Sequence, residues 1–344
     1  MRLLILGGTK FLGRVLVEQA LRRGHEVTTF NRGRSGDDVP GATMIRGDRT
    51  NPQDLMALAD AGPWDAVIDP SGMTPAMVED TTRALADVVG WYVFVSTVNV
   101  YKGWPTTPLT DASPLREYAP EGPEGESGLD SYGREKAGCE QAVIAAFGEH
   151  ATILRPGVIL GPHEYVGRLP WWLSRIRVGG RVLAPGTATW KIQPIDVRDV
   201  AAFALECAER HLPGPYNVAA PIGHTTFGEF LAACRKVTGS SAELVWVDDS
   251  FLRKHDVREW TELPIWRDYD GTWQVDASRA HAAGLTCRSI EETVTDTWRW
   301  LQTGVTVSSA RSAELGISVE RETAILTAWD NRTVVKNQEQ AAGA

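Results

Sequence analysis

The sequence predicts an α/β protein with a doubly wound parallel sheet and a smaller C-terminal substrate-binding domain. Three observations carry this: short β-branched apolar runs alternate with helical patterns, a glycine turn joins the first run to the first helix, and the character of the chain changes after about residue 164. The runs are RLLIL, EVTTF, TMIRG, DAVID, WYVFVST and ATILRPGVIL. Between the first two, Leu12, Val15, Leu16 and Ala20 share one helical face, and Gly24 is placed to end that helix. KIQPIDVRDVAAFALECAER and PYNVAAP read as two later strands returning to the same sheet. The first domain is therefore expected over 1–164 with 190–220. The substrate domain is expected over 165–189 and 221–305, and a C-terminal helix and tail over 306–344. Ser318 is placed to cap that helix, which should run to about Trp329.

With 344 residues, 43% hydrophobic and 23% charged, the chain can bury a large core. No apolar run is long enough to cross a bilayer, and the opening Leu3–Leu6 run is too short for a signal sequence, so a cytoplasmic location is expected. Formal net charge is -9 with the basic residues scattered, which argues against a nucleic-acid partner. The four cysteines are far apart and carry no metal-ligand spacing, so buried free thiols and no metal site are expected.

GGTKFLG, Gly7 to Gly13, lies between strand and helix, where backbone N–H groups can bind a pyrophosphate and glycines permit close approach. This is the Rossmann-type arrangement. Gly7, Thr9, Lys10, Phe11, Leu12 and Gly13 are the expected loop contacts, with Lys10 where such loops usually carry their middle glycine. EVTTF runs into Asn31, Arg32, Gly33 and Arg34, so the acid that binds a ribose hydroxyl is absent and guanidiniums stand nearby. Arg32, Arg34 and Lys10 together favour a 2′-phosphate, hence NADP(H) over NAD(H), with NAD(H) still compatible; the alternative is that Lys10 and Arg34 are ordinary solvated cations. Asp48 after the third strand is a candidate for the adenine amine, or an ordinary strand-end aspartate.

Tyr132 and Lys136, in SYGREK, are four residues apart on a predicted helix and share a face. An ammonium beside a phenol stabilises the phenolate and brings it toward the range useful for proton transfer. Thr97, at the end of WYVFVST, can hydrogen-bond a reacting oxygen. Thirteen tryptophans is a high count, and Trp104, Trp171, Trp172, Trp190, Trp260 and Trp266 are candidates for cleft walls or for core. His163 and Tyr165 follow the sixth strand. The stretch SPLREYAPEGPEGESGLD is either a cover over the site or an ordinary exposed loop.

With GGTKFLG, VSTVNVY, SYGREK, LRPGVILGP and IDVRDVA in this order, the chain resembles an extended short-chain dehydrogenase/reductase, in an atypical branch of the NAD-dependent epimerase/dehydratase proteins. The resemblance covers about Met1 to Gln302. It implies Thr97, Tyr132 and Lys136 as the catalytic set, Lys136 also holding the nicotinamide ribose. It further implies Pro156 and Val158 beside the nicotinamide and Asp69, Pro70 and Ser71 where a loop passes the cofactor. Asn99, Trp104, His163, Trp171, Trp172 and Trp190 are then expected on the substrate side, with a small-molecule substrate and a homodimer. Val98-Asn99 stands where dehydratases carry Asp-Glu, which disfavours a dehydratase, and Val158 where sugar-nucleotide enzymes carry asparagine, which argues against a nucleotide-sugar substrate. An epimerase using transient oxidation, or a non-catalytic cofactor binder, are the alternatives.

Overall fold

A computed structural model describes residues 1–119 and 128–342. The chain forms two compact units, one of 1–163, 193–222 and 269–288, the other of 164–192, 223–268 and 289–344.

In the first unit the apolar runs become β1 (Arg2–Leu6), β2 (Glu26–Asn31), β3 (Thr43–Arg46), β4 (Ala66–Asp69), β5 (Tyr92–Val95) and β6 (Ala151–Pro156). Helices α1 (Phe11–Arg22), α2 (Pro52–Asp60), α3 (Pro75–Leu85) and α4 (Leu129–Phe147) lie between them. ATILRPGVIL divides after Pro156, leaving β7 (Ile159–Leu160) in a separate ladder with β8 (Ile195–Asp196). From β8 the chain enters α5 (Val197–Arg210), then β9 (Gly214–Val218), and the unit closes with α6 (Ser278–Ala283). The sheet has seven strands in the order β9-β6-β5-β4-β1-β2-β3, every pair parallel. Leu3, Ile5, Val93 and Leu154 pack one face against α1 and α5, and Leu4, Leu6, Val67, Tyr92 and Phe94 pack the other with Val78 of α3 and Val143 of α4. Strand order reverses beside β1, so the crevice for a ligand opens at the carboxyl ends of β1, β2 and β4.

KIQPID does not join this sheet, contrary to expectation. Pro194 has no N–H to give a ladder, and Gln193 is drawn instead to the carbonyls of Ala220 and Val275 at 2.6 and 2.7 Å. Residues 269–288, read from sequence as substrate domain, belong to the first unit: Val275 bridges Leu109, and Arg279 donates to the carbonyl of Pro215 at 2.8 Å.

The second unit has helices Arg168–Val178, Phe227–Thr238 and Ile290–Leu301, a parallel pair Arg181–Pro185 with Glu243–Val247, and an antiparallel pair Lys191–Ile192 with Thr225–Thr226. Capping boxes Thr226/Glu229 and Ser289/Glu292 start two of the helices. The last helix runs Val319–Ala342, longer than expected, and Ser318 Oγ accepts from the N–H of Arg321 at 3.2 Å. Its Glu322 is buried, accepting from Arg175 at 2.7 Å and from the N–H of Leu183 at 2.9 Å.

The position of α4 is set by a buried ion pair. Arg155 of β6 donates to Glu140 at 3.0 Å (Nε to Oε1) and 2.6 Å (Nη2 to Oε2), and both side chains are almost wholly buried. Arg155 also donates to Tyr101 Oη at 2.9 Å, which donates in turn to Asn217 of β9 at 2.8 Å. Removing one partner leaves a charge buried without compensation, so Glu140→Ala should cost about 3–5 kcal/mol, read as a lowered urea midpoint with unchanged slope.

Candidate active site

The glycine turn explains the lysine in the loop. Gly7 and Gly8 take φ of 112° and 100°, whereas Lys10 is extended at φ -129° and needs no glycine. A Cβ on Gly8 would stand 2.9 Å from Thr29 Cγ2, and one on Gly13 2.9 Å from the N of Gly8. Only glycines let α1 start this close to β1 and β2. Lys10 provides no side-chain cap to α1, whose first turn has no acidic residue. That leaves an uncapped helix start above the strand end, the arrangement suited to a pyrophosphate.

Gly7, Thr9, Asn31, Arg32, Asp48 and Ser71 line one cleft of about 280 Å³, together with Arg49, Met73 and Met77, which sequence reasoning missed. Lys10 and Arg34 are outside its lining, and both are exposed. Phe11 (φ 39°) and the buried Leu12 begin α1. Ser71 Oγ donates to the carbonyl of Leu6 at 2.8 Å, and Pro70 lies beside Gly13. Asp48 accepts from Thr50 at 3.0 Å (N–H) and 2.8 Å (Oγ1), which holds its carboxyl below the usual range, with Arg32 at 3.7 Å.

Asp69 is corrected from a cofactor contact to an internal anchor. It is wholly buried and accepts from Arg49 at 2.9 and 2.8 Å, from Ser71 N–H at 2.9 Å and from Tyr92 Oη at 3.0 Å. Desolvation opposes its charge, but the Arg49 guanidinium prevails and keeps the carboxyl below its ordinary value. Asp69 thus supports Ser71 and Arg49 from behind.

After β5, at the same carboxyl edge of the sheet, Thr97 Oγ1 accepts from the N–H of Asn99 at 3.2 Å and caps the short turn Val98–Val100. Its own O–H remains able to donate. A Cβ on Gly133 would collide with the carbonyl oxygen of Asn99, so glycine there lets the first turns of α4, with Tyr132, pack directly on that turn. Arg116 fastens the contact, donating to the Asn99 carbonyl at 2.8 Å and pairing with Asp130 of α4 at 2.7 Å. Nothing in the sequence pattern marked Arg116. Asn99 Oδ1 and Ser96 Oγ, on either side of Thr97 in the chain, are buried and meet no donor or acceptor among the described residues. Such atoms are normally satisfied in a functioning protein, by protein groups, water or a ligand.

Lys136 is 2% exposed, donates to the carbonyls of Gly72 and Val95 at 2.7 and 2.8 Å, and lies 4.1 Å from the centre of the Phe94 ring. Burial lowers its ammonium to about 8. Pro156 and Val158 are buried around the break after β6, where Gly157 donates to the carbonyl of Val218 at 3.0 Å and Val158 accepts from Ile195 at 2.9 Å.

The tryptophans divide. Trp104 is core in the first unit, packed with Val98, Val100, Tyr101 and Leu109, and Trp172 is core in the second, donating to the carbonyl of Pro264 at 2.7 Å. Both are corrected from cleft walls to packing. Trp266 is wholly buried as well, donating to Asp249 at 2.6 Å. Trp171, Trp190 and Trp260 are half-buried, Trp190 stacking on Phe227 and Trp260 lying against Arg267 and Arg168. His163, at φ 69°, is kept below its usual range by burial, and the charges acting on it are Glu18 and Arg14 of α1. Tyr165 is exposed. Of the acidic stretch before Tyr132, residues 120–127 lie outside the described residues. The described cysteines are free, and no described helix is long and apolar enough to cross a membrane.

The profile of the NAD dependent epimerase/dehydratase family matches residues 3–219. The chain belongs to that family. It is 27% identical over 258 residues to the chloroplast stem-loop binding protein of 41 kDa b of Arabidopsis thaliana, over 69% of this chain and 63% of that protein. The match therefore spans less than two thirds of that relative. It is also 27% identical over 337 residues to the dTDP-6-deoxy-L-talose 4-dehydrogenase (NAD(P)(+)) of Kitasatospora kifunensis, over 86% of this chain and 94% of that one. Among solved structures, the Bordetella bronchiseptica enzyme WbmH in complex with NAD+ superposes with a TM-score of 0.68 at 18% identity, over 88% of this chain and 98% of that chain. That similarity speaks to the fold. The resemblance to extended short-chain dehydrogenase/reductases is thus shown, and with it the parallel sheet expected from the apolar runs.

Lys136 gives a pH test of this geometry. Its folded value near 8 lies below the ordinary lysine value of 10.5, so burying the ammonium opposes folding fully below pH 8, and that cost disappears as pH rises through 10.5. The stability of the wild type relative to Lys136→Met should therefore increase between pH 8 and 10.5 by up to about 3 kcal/mol. Urea unfolding of both proteins at the two pH values measures it.

Proposed function

We propose that this protein is an NADP(H)-preferring oxidoreductase that interconverts a carbinol and a ketone on a small metabolite, with Tyr132 as general acid and base. The observation that carries the reading is the close approach of α4 to the Val98–Val100 turn at Gly133, which brings the Tyr132 turn of the helix to the strand end that carries Thr97. The residues present suit a dinucleotide: an uncapped helix start, glycines where a Cβ would intrude, and a polar cleft along β1, β2 and β4. Gly7, Thr9 and the first turn of α1 would hold the pyrophosphate, and Asp48, Arg32 and Ser71 the adenosine half. When bound, the nicotinamide donates or accepts the hydride.

The chain's own groups manage the oxygen of the reacting carbon. Tyr132 gives it a proton in the direction of reduction and takes that proton in the direction of oxidation. Thr97 donates a hydrogen bond to it while its own Oγ1 is oriented by Asn99 N–H. Lys136, anchored on two carbonyls one turn along the helix, sets a positive charge that favours the phenolate. Asn99, with its unsatisfied Oδ1, is available to a polar group of the substrate. Because Val98-Asn99 supplies no acid-base pair, elimination of water is not part of the scheme.

In a panel of small ketones and aldehydes with NADPH, Tyr132→Phe should lose at least about 100-fold in turnover while binding NADPH within about twofold of wild type. Equal turnover would overturn the assignment. Tryptophan quenching should show tighter binding of NADPH than NADH, with Arg32→Ala weakening NADPH more than NADH. Turnover without release of free cofactor would favour the epimerase reading, and binding of neither dinucleotide a non-catalytic role.

A further inference from the structure

We propose that Arg46, at the end of β3, is the residue that reads the 2′-phosphate of NADP(H), and that Asp38 competes with that phosphate for the same guanidinium. The inference rests on the reading of the cleft as an NADP(H) site and adds to it a specificity pair that the motif pattern did not indicate.

The starting point is Asn31, where β2 ends and where dinucleotide sites commonly place an acid for the ribose. Its carboxamide is already committed. Oδ1 accepts from Gly33 N–H at 2.8 Å and from Arg46 Nη1 at 2.5 Å, and Nδ2 donates to the carbonyl of Gly7 at 3.2 Å and to Asp38 Oδ1 at 3.3 Å. Asn31 therefore orients neighbouring groups rather than offering a vacant hydrogen-bonding atom to a ribose. The group it orients is Arg46. A Cβ on Gly33, at φ 65°, would lie 3.0 Å from Arg46 Nε and 3.2 Å from Cζ, so the guanidinium rests against a turn that only glycine leaves open.

Among the cations near β2, Arg32 lines the cleft with Asp48 at 3.7 Å, whereas Lys10, Arg34 and Arg46 stand outside its lining, and Arg46 reaches the cleft's edge through Asn31. Arg46 is also exposed but is positioned from three directions, and its fork already holds an oxyanion: Asp38 Oδ1 accepts from Nη1 at 3.0 Å and Oδ2 from Nη2. A two-point carboxylate presents to a guanidinium the same spacing as two oxygens of a phosphate. Asp38 thus marks where phosphate oxygens would bind. The acid missing after β2 is supplied seven residues later in the chain, but turned toward an arginine. NADH leaves this pair closed, whereas the 2′-phosphate of NADPH displaces Asp38 and takes the fork. Arg46 then provides the preference, and Asp38 limits its size.

The test is calorimetric titration of the full chain with 2′,5′-ADP, 5′-AMP, NADPH and NADH. Arg46→Gln should weaken 2′,5′-ADP and NADPH by about tenfold or more, as expected for losing a charged two-point contact, while 5′-AMP and NADH change by less than about twofold. Arg46→Lys, which keeps charge without the fork, should fall between. Asp38→Asn should tighten NADPH by about threefold or more and leave NADH unchanged. Thermal melts identify any variant that loses its fold, and the Lys variant then carries the comparison. Parallel losses for both cofactors, or no loss in Arg46→Gln, would overturn the inference while a wild-type preference for NADPH stands. Weakened NADH binding in Asp38→Asn would also overturn it, assigning Asp38 to the ribose hydroxyls. A wild type that prefers NADH and does not bind 2′,5′-ADP would instead defeat the NADP(H) reading itself.

Discussion

The site depends on how α4 is held. Three internal attachments along the helix set its position: Gly133 against the Asn99 carbonyl, Lys136 on the Gly72 and Val95 carbonyls, and Glu140 on Arg155. They use successive turns of the same face, so the spacing that places Tyr132 and Lys136 together also aligns the anchors. The ammonium and the ion pair are expensive groups to bury, and their hydrogen bonds make that arrangement tolerable. A helix fixed this way holds its first turns against the Val98–Val100 turn.

The cleft at the ends of β1, β2 and β4 follows a similar logic. A buried Asp69–Arg49 pair, joined by Tyr92 and Ser71, braces the β4 loop from the interior, and the glycines of the first turn admit α1 close to β1. In both places buried charged residues carry the framework, while the start of α1 has no side-chain cap, Asn99 Oδ1 is buried without a partner among the described residues, and the Arg46 fork is exposed.

Chemistry that depends on local order was legible in the chain. A glycine turn between an apolar strand and an amphipathic helix, a tyrosine and lysine four apart, and the order of apolar runs are short-range patterns with short-range physics. The structure places them in one unit around one parallel sheet. Where local reading failed, a long-range partner decided. KIQPID looked like a sheet strand until Pro194 and the bonds of Gln193 are considered, and Trp104 and Trp172 could have been walls until their packing is known.

What the amino-acid order determined by itself is the fold class, the glycine turn ahead of α1 and the four-residue spacing of Tyr132 and Lys136, because each rests on periodicity or on contacts within a few positions. What only the tertiary structure decided is which charges face inward and which stay at the surface. Asp69 and Asp38 are both aspartates near strand ends, yet one is locked in the interior by Arg49 and the other is bound at the surface by Arg46. Their partners come from distant or turned segments of chain, and a carboxylate's role is set by the cation it meets, which no local spacing specifies.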